Sequence, residues 1–223
     1  FSGNGKLDTY TVALFWNWFT MVDAFSGARV VVPPSCAALR CMAYTFDAFR
    51  PSYASAGESR GLVPEALLVE YPRVSDDAKQ GMYGMGTGNS LNALLLNRGR
   101  IMVFGNRTTQ RAESKLTALN NVVAVNSIVK GLAERGRKYN FDPIDDVLLE
   151  QIYLDFKAFL QGMKNDRGLE DYELVVDKSN NTADDRNQRQ VIVDVSIVPI
   201  DALEKLFINA AVRESGAVLN SVS

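Results

Sequence analysis

The chain has 223 residues, of which 47% are hydrophobic and 22% charged, and its formal net charge is -2. Such a chain buries enough apolar surface to need no metal or disulfide staple, and its charge offers no basic face for nucleic acid. It holds no histidine and only two cysteines, which removes the usual neutral-pH base, any Ser-His-Asp or Cys-His unit and a four-ligand zinc site. No apolar run reaches the roughly 18 residues of a membrane span. We therefore expect no catalytic residue, cofactor or metal, and neither a nucleic-acid partner nor membrane insertion. Cys36 and Cys41 read as two small core residues in a reducing compartment. The opening Phe1-Ser-Gly-Asn-Gly lacks an initiator Met and a signal peptide and reads as the start of a fragment of a longer protein.

Residues 10–16, 19–23 and 28–32 alternate as strands, and Pro33-Pro34 closes the cluster because proline cannot continue a ladder. Ser35 reads as a helix N-cap. Leu39, Met42, Phe46 and Phe49 then recur at spacings of three and four, which predicts one buried helix face ended by Pro51. A polar loop over 52–61 leads to a strand over 67–71. Glycines crowd the stretch 81–88, and such loops cradle phosphates when they follow a strand and open a helix. Here the preceding residues 75–80 are polar and no Gly-Lys-Ser/Thr follows, so a connector is expected. A short helix over 89–97 comes next.

Residues 101–104 read as a buried strand running into Gly105 and a polar turn. Gly105 takes positive φ without strain, and Asn106 tolerates it. Arg107 sits at a strand exit, where binding residues often lie. Residues 115–138 form a helix with Leu116, Leu119, Val122, Val125, Val129 and Leu132 inward. A second long helix starts at Asp142-Pro143, with Asp142 as N-cap and Pro143 at the first position, and turns Leu148, Ile152, Phe156, Phe159 and Met163 inward. Gly168 suits its stop. Strands over 172–177 and 191–198 flank a polar loop at 178–189. Residues 201–206 suit one helical turn, and periodicity leaves 207–213 open between helix and strand.

Several segments resemble, in order, the contractile phage tail sheath family. Val30-Val-Val-Pro-Pro-Ser35 is similar to its strand ending in Pro-Pro-Ser. Arg50-Pro-Ser-Tyr-Ala-Ser-Ala-Gly57 resembles its Arg-Gly-x-Trp-x-Ala-x-Ala-Gly run, with Tyr53 for Trp. Phe104-Gly-Asn-Arg-Thr108 matches its Trp-Gly-x-Arg-Thr, with Phe104 for Trp. Asn89-Ser-Leu-Asn92, Asn140-Phe-Asp-Pro143, Asp177-Lys-Ser-Asn-Asn-Thr182 and Val198-Pro-Ile-Asp-Ala-Leu203 resemble further family segments. The glycine-rich stretch 81–88 departs from the family pattern.

The resemblance implies an α/β (α+β) fold in two sub-domains with sheets packed by helices. Residues 1–97 would end a middle domain whose family fold resembles subtilisin. Residues 98–223 would be the C-terminal domain with its arm, a mixed sheet covered by two long helices. It implies a structural, non-enzymatic subunit of the virion tail, assembled in the host cytoplasm. Stacked hexameric rings surround the tail tube, and contraction drives the tube through the host envelope as the genome is ejected. Partners would be neighbouring subunits joined by strand-exchanging arms, the tube, the baseplate and the tail terminator. The isolated fragment would be monomeric. Gly105, Asn106, Arg107 and Thr108 are expected as a structural motif in which Arg107 pairs with a carboxylate of its own domain. Asp184, Asp185, Arg186, Arg189, Arg213 and Glu214 are candidate inter-subunit contacts. Two alternatives stand beside this: a bacterial secretion or bacteriocin sheath, and a phosphate- or nucleotide-binding enzyme using Gly84, Gly86 and Gly88 within the stretch from Gly81 to Gly88.

Overall fold

A computed structural model describes residues 7–82 and 90–203, apart from the side chains of Asp76 and Gln80. Its first half builds two small sheets against one helix. Strands β1 (Leu14–Trp16), β2 (Phe19–Val22) and β3 (Arg29–Val32) precede helix α1 (Pro34–Ala48). A short helix α2 (Gly57–Arg60), strand β4 (Ala66–Val69), helix α3 (Asp76–Met82) and the hairpin of β5 (Leu91–Asn97) and β6 (Arg100–Phe104) follow. One sheet has the order β3-β2-β4 and is antiparallel, and the other, β1-β5-β6, is mixed because β1 runs parallel to β5. Phe19, Ala37, Cys41, Val63, Val69, Leu94, Ile101 and Val103 form their common core.

Four expectations for this half need correction. Residues 91–97 are a central strand rather than a helix. Leu94 and Leu95 are both buried, so the strand is covered on both faces, and a short apolar run of that kind cannot be told from a buried helix by periodicity. Ser35 is not the N-cap: Pro33 is, with Pro34 at the first helical position and no side-chain cap. The predicted inner face of α1 is its outer one. Ala37, Ala38, Cys41 and Thr45 face the sheets, while Leu39, Phe46 and Phe49 are exposed. Small residues let the helix axis approach the strands closely, and that contact outweighs the larger area of the aromatic stripe. Cys41 is accordingly a core residue, but Cys36 is exposed, and neither is in a disulfide.

The second half has a separate core. A 3-10 turn at Lys115–Thr117 leads into α4 (Leu119–Gly136), and a second such turn at Arg137–Tyr139 follows it. Helix α5 (Asp146–Asn165), strand β7 (Asp171–Val175), helix α6 (Ala183–Asn187) and strand β8 (Asp194–Val198) complete the order. The stripe of α5 is as expected in kind, with Leu148, Leu149, Ile152, Phe156 and Leu160 buried. Ile128 and Leu132 of α4 pack on it, whereas Val129 points to solvent. The start of α5 lies three residues later than predicted, because Asp145, not Asp142, accepts the Leu148 N–H at 2.8 Å. At its end Arg167, at φ 59°, takes the left-handed conformation, and the Gly168 N–H caps the Met163 carbonyl at 2.8 Å.

β7 and β8 form an antiparallel pair in register Asp171↔Val198 to Val175↔Asp194. The mixed sheet therefore lies in the first half, and the second carries an antiparallel one among the described residues. The expected division between 97 and 98 falls between β5 and β6, which are hydrogen-bonded neighbours. Residues 204–206 of the expected turn, residues 207–213, the last six residues of the stretch 81–88 (83–88) and the candidate contacts Arg213 and Glu214 lie outside the described residues.

Candidate functional site

The two cores meet along a seam built by the segment 105–109. Gly105 has φ 137° and is the residue there that needs positive φ. Asn106 contributes its side chain rather than a left-handed backbone. Its carbonyl accepts the Leu119 N–H at 2.9 Å and its Oδ1 accepts the Asn120 N–H at 3.1 Å. Helix α4 has no side-chain cap of its own, so Asn106, thirteen residues upstream of Leu119, satisfies donors that a helix start leaves open. Asn106 Nδ2 also donates to Asn120 Oδ1 at 2.6 Å.

Arg107 is held by its backbone. Asn92 of β5 accepts the Arg107 N–H at Oδ1 and donates Nδ2 to the Arg107 carbonyl, both at 2.8 Å, and Nδ2 reaches the Leu14 carbonyl at 3.1 Å. Thr108 is buried. Its hydroxyl donates to the Leu116 carbonyl at 2.9 Å, and its N–H donates to that of Thr117 at 2.9 Å. The motif thus ties β1, β5 and the start of α4 together through main-chain groups. Gly105, Asn106, Arg107 and Thr108 come together as one unit, while Asp184, Asp185, Arg186 and Arg189 lie apart from it, around α6.

Buried asparagines extend the seam. Asn120 Nδ2 donates to the Ser52 carbonyl at 2.9 Å, and Asn121 Nδ2 to the Lys115 carbonyl at 2.9 Å and Asp201 Oδ1 at 3.1 Å. Lys115 pairs with Asp201; that pairing holds the Asp201 carboxyl below its ordinary range and the Lys115 ammonium above its own. Arg50, past the end of α1, pairs with Asp166 at the end of α5 at 2.8 Å. Asn17, at φ 81° and fully buried, clamps the Leu94 carbonyl at 2.8 Å and both backbone groups of Tyr71 at 2.9 Å. Asparagine suits these posts because its amide offers a donor and an acceptor side by side, the complement of one peptide unit. Sequence reasoning missed Asn17, Asn120 and Asn121 as clamps. A buried asparagine looks like a surface one in sequence, and only Asn17, set in an apolar strand cluster, gave a hint.

Around α6, Thr182 and Asp185 form a reciprocal capping box. Arg186 and Lys178 both pair with Asp146, at 3.1 and 2.7 Å, and hold its carboxyl below the ordinary range. These charges fix the loop to α5. Beside them an open groove of about 650 Å3 runs between α5 and β7, with Leu149, Glu150 and Tyr153 on one side and residues 174–179 on the other. Among the described residues β7 pairs with β8 alone, which leaves its other edge without a strand neighbour there.

A family model described as the phage tail sheath C-terminal domain matches residues 112–213. The tail sheath protein of Vibrio phage KVP40 is 20% identical over 217 residues, which cover 96% of this chain and 31% of that protein. The solved baseplate of the anti-feeding prophage aligns at TM-score 0.80 and 15% identity over 96% of this chain and 59% of that one. The contracted sheath complex of the PVC extracellular contractile injection system aligns at TM-score 0.78 and 19% identity, covering 92% and 57%. At these identities the structural likenesses establish the α+β fold. The chain spans under a third of the phage relative and under three fifths of the solved chains.

Proposed function

We propose that this chain is part of a structural, non-enzymatic subunit of a contractile sheath, in a phage tail or a related injection system, that assembles with copies of itself around a tube and contracts to drive the tube through a bacterial envelope. The phage reading takes the virion tail as its location, with assembly in the host cytoplasm. The observation that carries the proposal is the two-stranded β7-β8 sheet, whose β7 has no second strand neighbour among the described residues, within the segment that the sheath family model matches. Such an edge accepts a strand from another chain, giving backbone hydrogen bonds that persist while side-chain surfaces slide. The likenesses to a baseplate and to a contracted sheath support self-association and a baseplate partner. Tube and terminator contacts, and the roles of Asp184, Asp185, Arg186, Arg189, Arg213 and Glu214 between subunits, belong to the same proposal. So does the division into a middle and a C-terminal domain, which follows the two cores and leaves β6 with the first. Within it, Arg107 braces its own domain by pairing with a carboxylate.

Energy for contraction resides in subunit contacts, each worth on the order of 1–3 kcal/mol, summed over many copies. Electron microscopy of the full-length protein tests the reading. Helical tubes of contracted-sheath width are expected; a protein that stays monomeric under all assembly conditions would exclude it. The nucleotide-binding alternative predicts a raised melting temperature with ATP or GTP, and no shift is expected.

A further inference from the structure

Strands β2, β3 and β4 make a sheet that is covered on one face and bare on the other. Phe19 lies opposite Val32 in β3 and Val69 in β4, and all three pack in the core that includes Ala37 and Cys41 of α1. The next position turns the other way. Thr20 lies opposite Val31 and Leu68, and Val22 follows on the same side by the two-residue period of a strand. Trp18, whose carbonyl accepts the Glu70 N–H at 2.9 Å, extends this outer face at its far end. A register shift between Thr20 and Met21 adds Leu67 beside Leu68. Trp18, Val22, Val31, Leu67 and Leu68 are each between 43 and 67% exposed. Apolar side chains scattered singly over a surface are ordinary, but a group of this kind on one sheet face marks a docking surface.

The sequence of the strands points the same way. An antiparallel sheet with one wet face alternates apolar and polar residues, whereas strands covered on both faces read as unbroken apolar runs. β3 ends in Val30-Val-Val32 and β4 is Ala66-Leu-Leu-Val69. Charge on the outer face lies at its ends, with Arg29 opposite Val22 and Glu70 beyond Leu68.

Two observations select the occupant. The chain aligns along 96 and 92% of its own length with two solved chains, yet covers only 59 and 57% of theirs, so roughly two fifths of each has no counterpart here. The centre of the face is also free of charge. Contacts made once and kept are the more apolar ones, while surfaces that meet and part stay polar enough to stand in water. In an assembly whose copies exchange contacts on contraction, such a face suits a permanent cover rather than a neighbouring copy.

We propose that the outer face of the β3-β2-β4 sheet seats the remainder of the same subunit, the part of the full-length polypeptide outside residues 1–223, through an apolar layer packed on Trp18, Val22, Val31, Leu67 and Leu68. The sheet is then an inner layer of the subunit, closed before any two copies meet. That a remainder of this size exists rests on the sheath reading above.

The test follows the full-length subunit before assembly. Val31→Cys is introduced with Cys36→Ser and every other exposed cysteine replaced, and maleimide labelling is timed. A thiol under a permanent cover waits for local opening, so labelling of the folded, unassembled subunit should be about a hundredfold slower than in urea. Leu68→Lys should lower the melting temperature of the unassembled full-length subunit and leave that of the 223-residue chain unchanged, because there the lysine stays in water. Labelling at the urea rate in the unassembled subunit, with protection only in assembled tubes, would overturn the proposal in favour of a second copy and leave the sheath reading standing. Labelling at the urea rate in subunit and tubes alike, or equal effects of Leu68→Lys on both lengths, would also overturn it. A protected cysteine in a subunit that never forms tubes would uphold the cover and remove the sheath reading.

Discussion

Asn92 is a single buried amide on which three backbone groups depend: the Arg107 N–H, the Arg107 carbonyl and the Leu14 carbonyl. Asn92→Ala strands them away from water, and each unmet buried group costs about 1–3 kcal/mol, so a loss of about 3 kcal/mol in urea unfolding is expected. Asn92→Asp keeps the acceptor for the Arg107 N–H but turns carboxylate lone pairs toward two carbonyls. It should be at least as damaging at pH 7. Repulsion raises the folded pKa of that acid, so the destabilisation appears above the unfolded value and fades below it; the gap from wild type should narrow at pH 4. A variant as stable as wild type at pH 7 would show that the clamp is dispensable. Gly131 is a second single-atom constraint, because a Cβ there would lie 2.6 Å from the Phe159 ring. Gly131→Ala, which favours an isolated helix, should here lower stability by about 1–3 kcal/mol through overpacking between α4 and α5. Thermal denaturation reads the sign directly.

At the scale of elements, the turn after α4 is bound to α5 by charge. Asp155 accepts from Lys138 at 2.9 Å and Arg135 at 3.3 Å, with the Tyr139 hydroxyl at 3.3 Å. The Lys138 contact, then its charge with Tyr139 and Arg135, holds the carboxyl below its ordinary 3.8. A depressed folded pKa means that the stabilisation is present above the unfolded value and is lost as pH falls through the folded one. Asp155→Asn should therefore be less stable at pH 7 and converge on wild type as the pH falls below the ordinary carboxylate value of 3.8, in paired urea titrations; a gap independent of pH would refute the assignment. Elements whose burial follows one simple period were legible in sequence: the β2–β3 hairpin, the α5 stripe and the β7–β8 pair. Those whose burial depends on a neighbour were not. β5 is apolar on both faces because it is central. The inner face of α1 is set by how closely the sheets allow it to approach, and α4 borrows its cap from Asn106. The strand-to-glycine motif was legible as a backbone device, but its partners across the seam were not, since no local pattern marks an asparagine that will pair with main chain far away.

In the whole molecule two apolar cores, one around Leu94 and Val103 and one around Ile152 and Phe156, share a polar boundary. A boundary of that kind is directional: hydrogen bonds fix register and angle, whereas apolar contact tolerates sliding. Its strength should be concentrated in Asn120, which joins Asn106, Asn121 and the Ser52 carbonyl. The Arg50–Asp166 pair spans the same boundary, but both side chains are about half exposed, and such pairs contribute about 0–1 kcal/mol. Asn120→Ala should therefore uncouple the halves while Arg50→Ala does not. Calorimetry of the wild-type chain should give one cooperative transition. With Asn120→Ala the transition should broaden or divide in two, the cores melting at separate temperatures, because each retains its own apolar burial and loses only the coupling. Arg50→Ala should leave the melting profile within about 0.5 kcal/mol of wild type. A single, unbroadened transition for Asn120→Ala would mean that the cores are coupled through apolar contact. Any load passed between the two halves would then be carried by packing rather than by the asparagines.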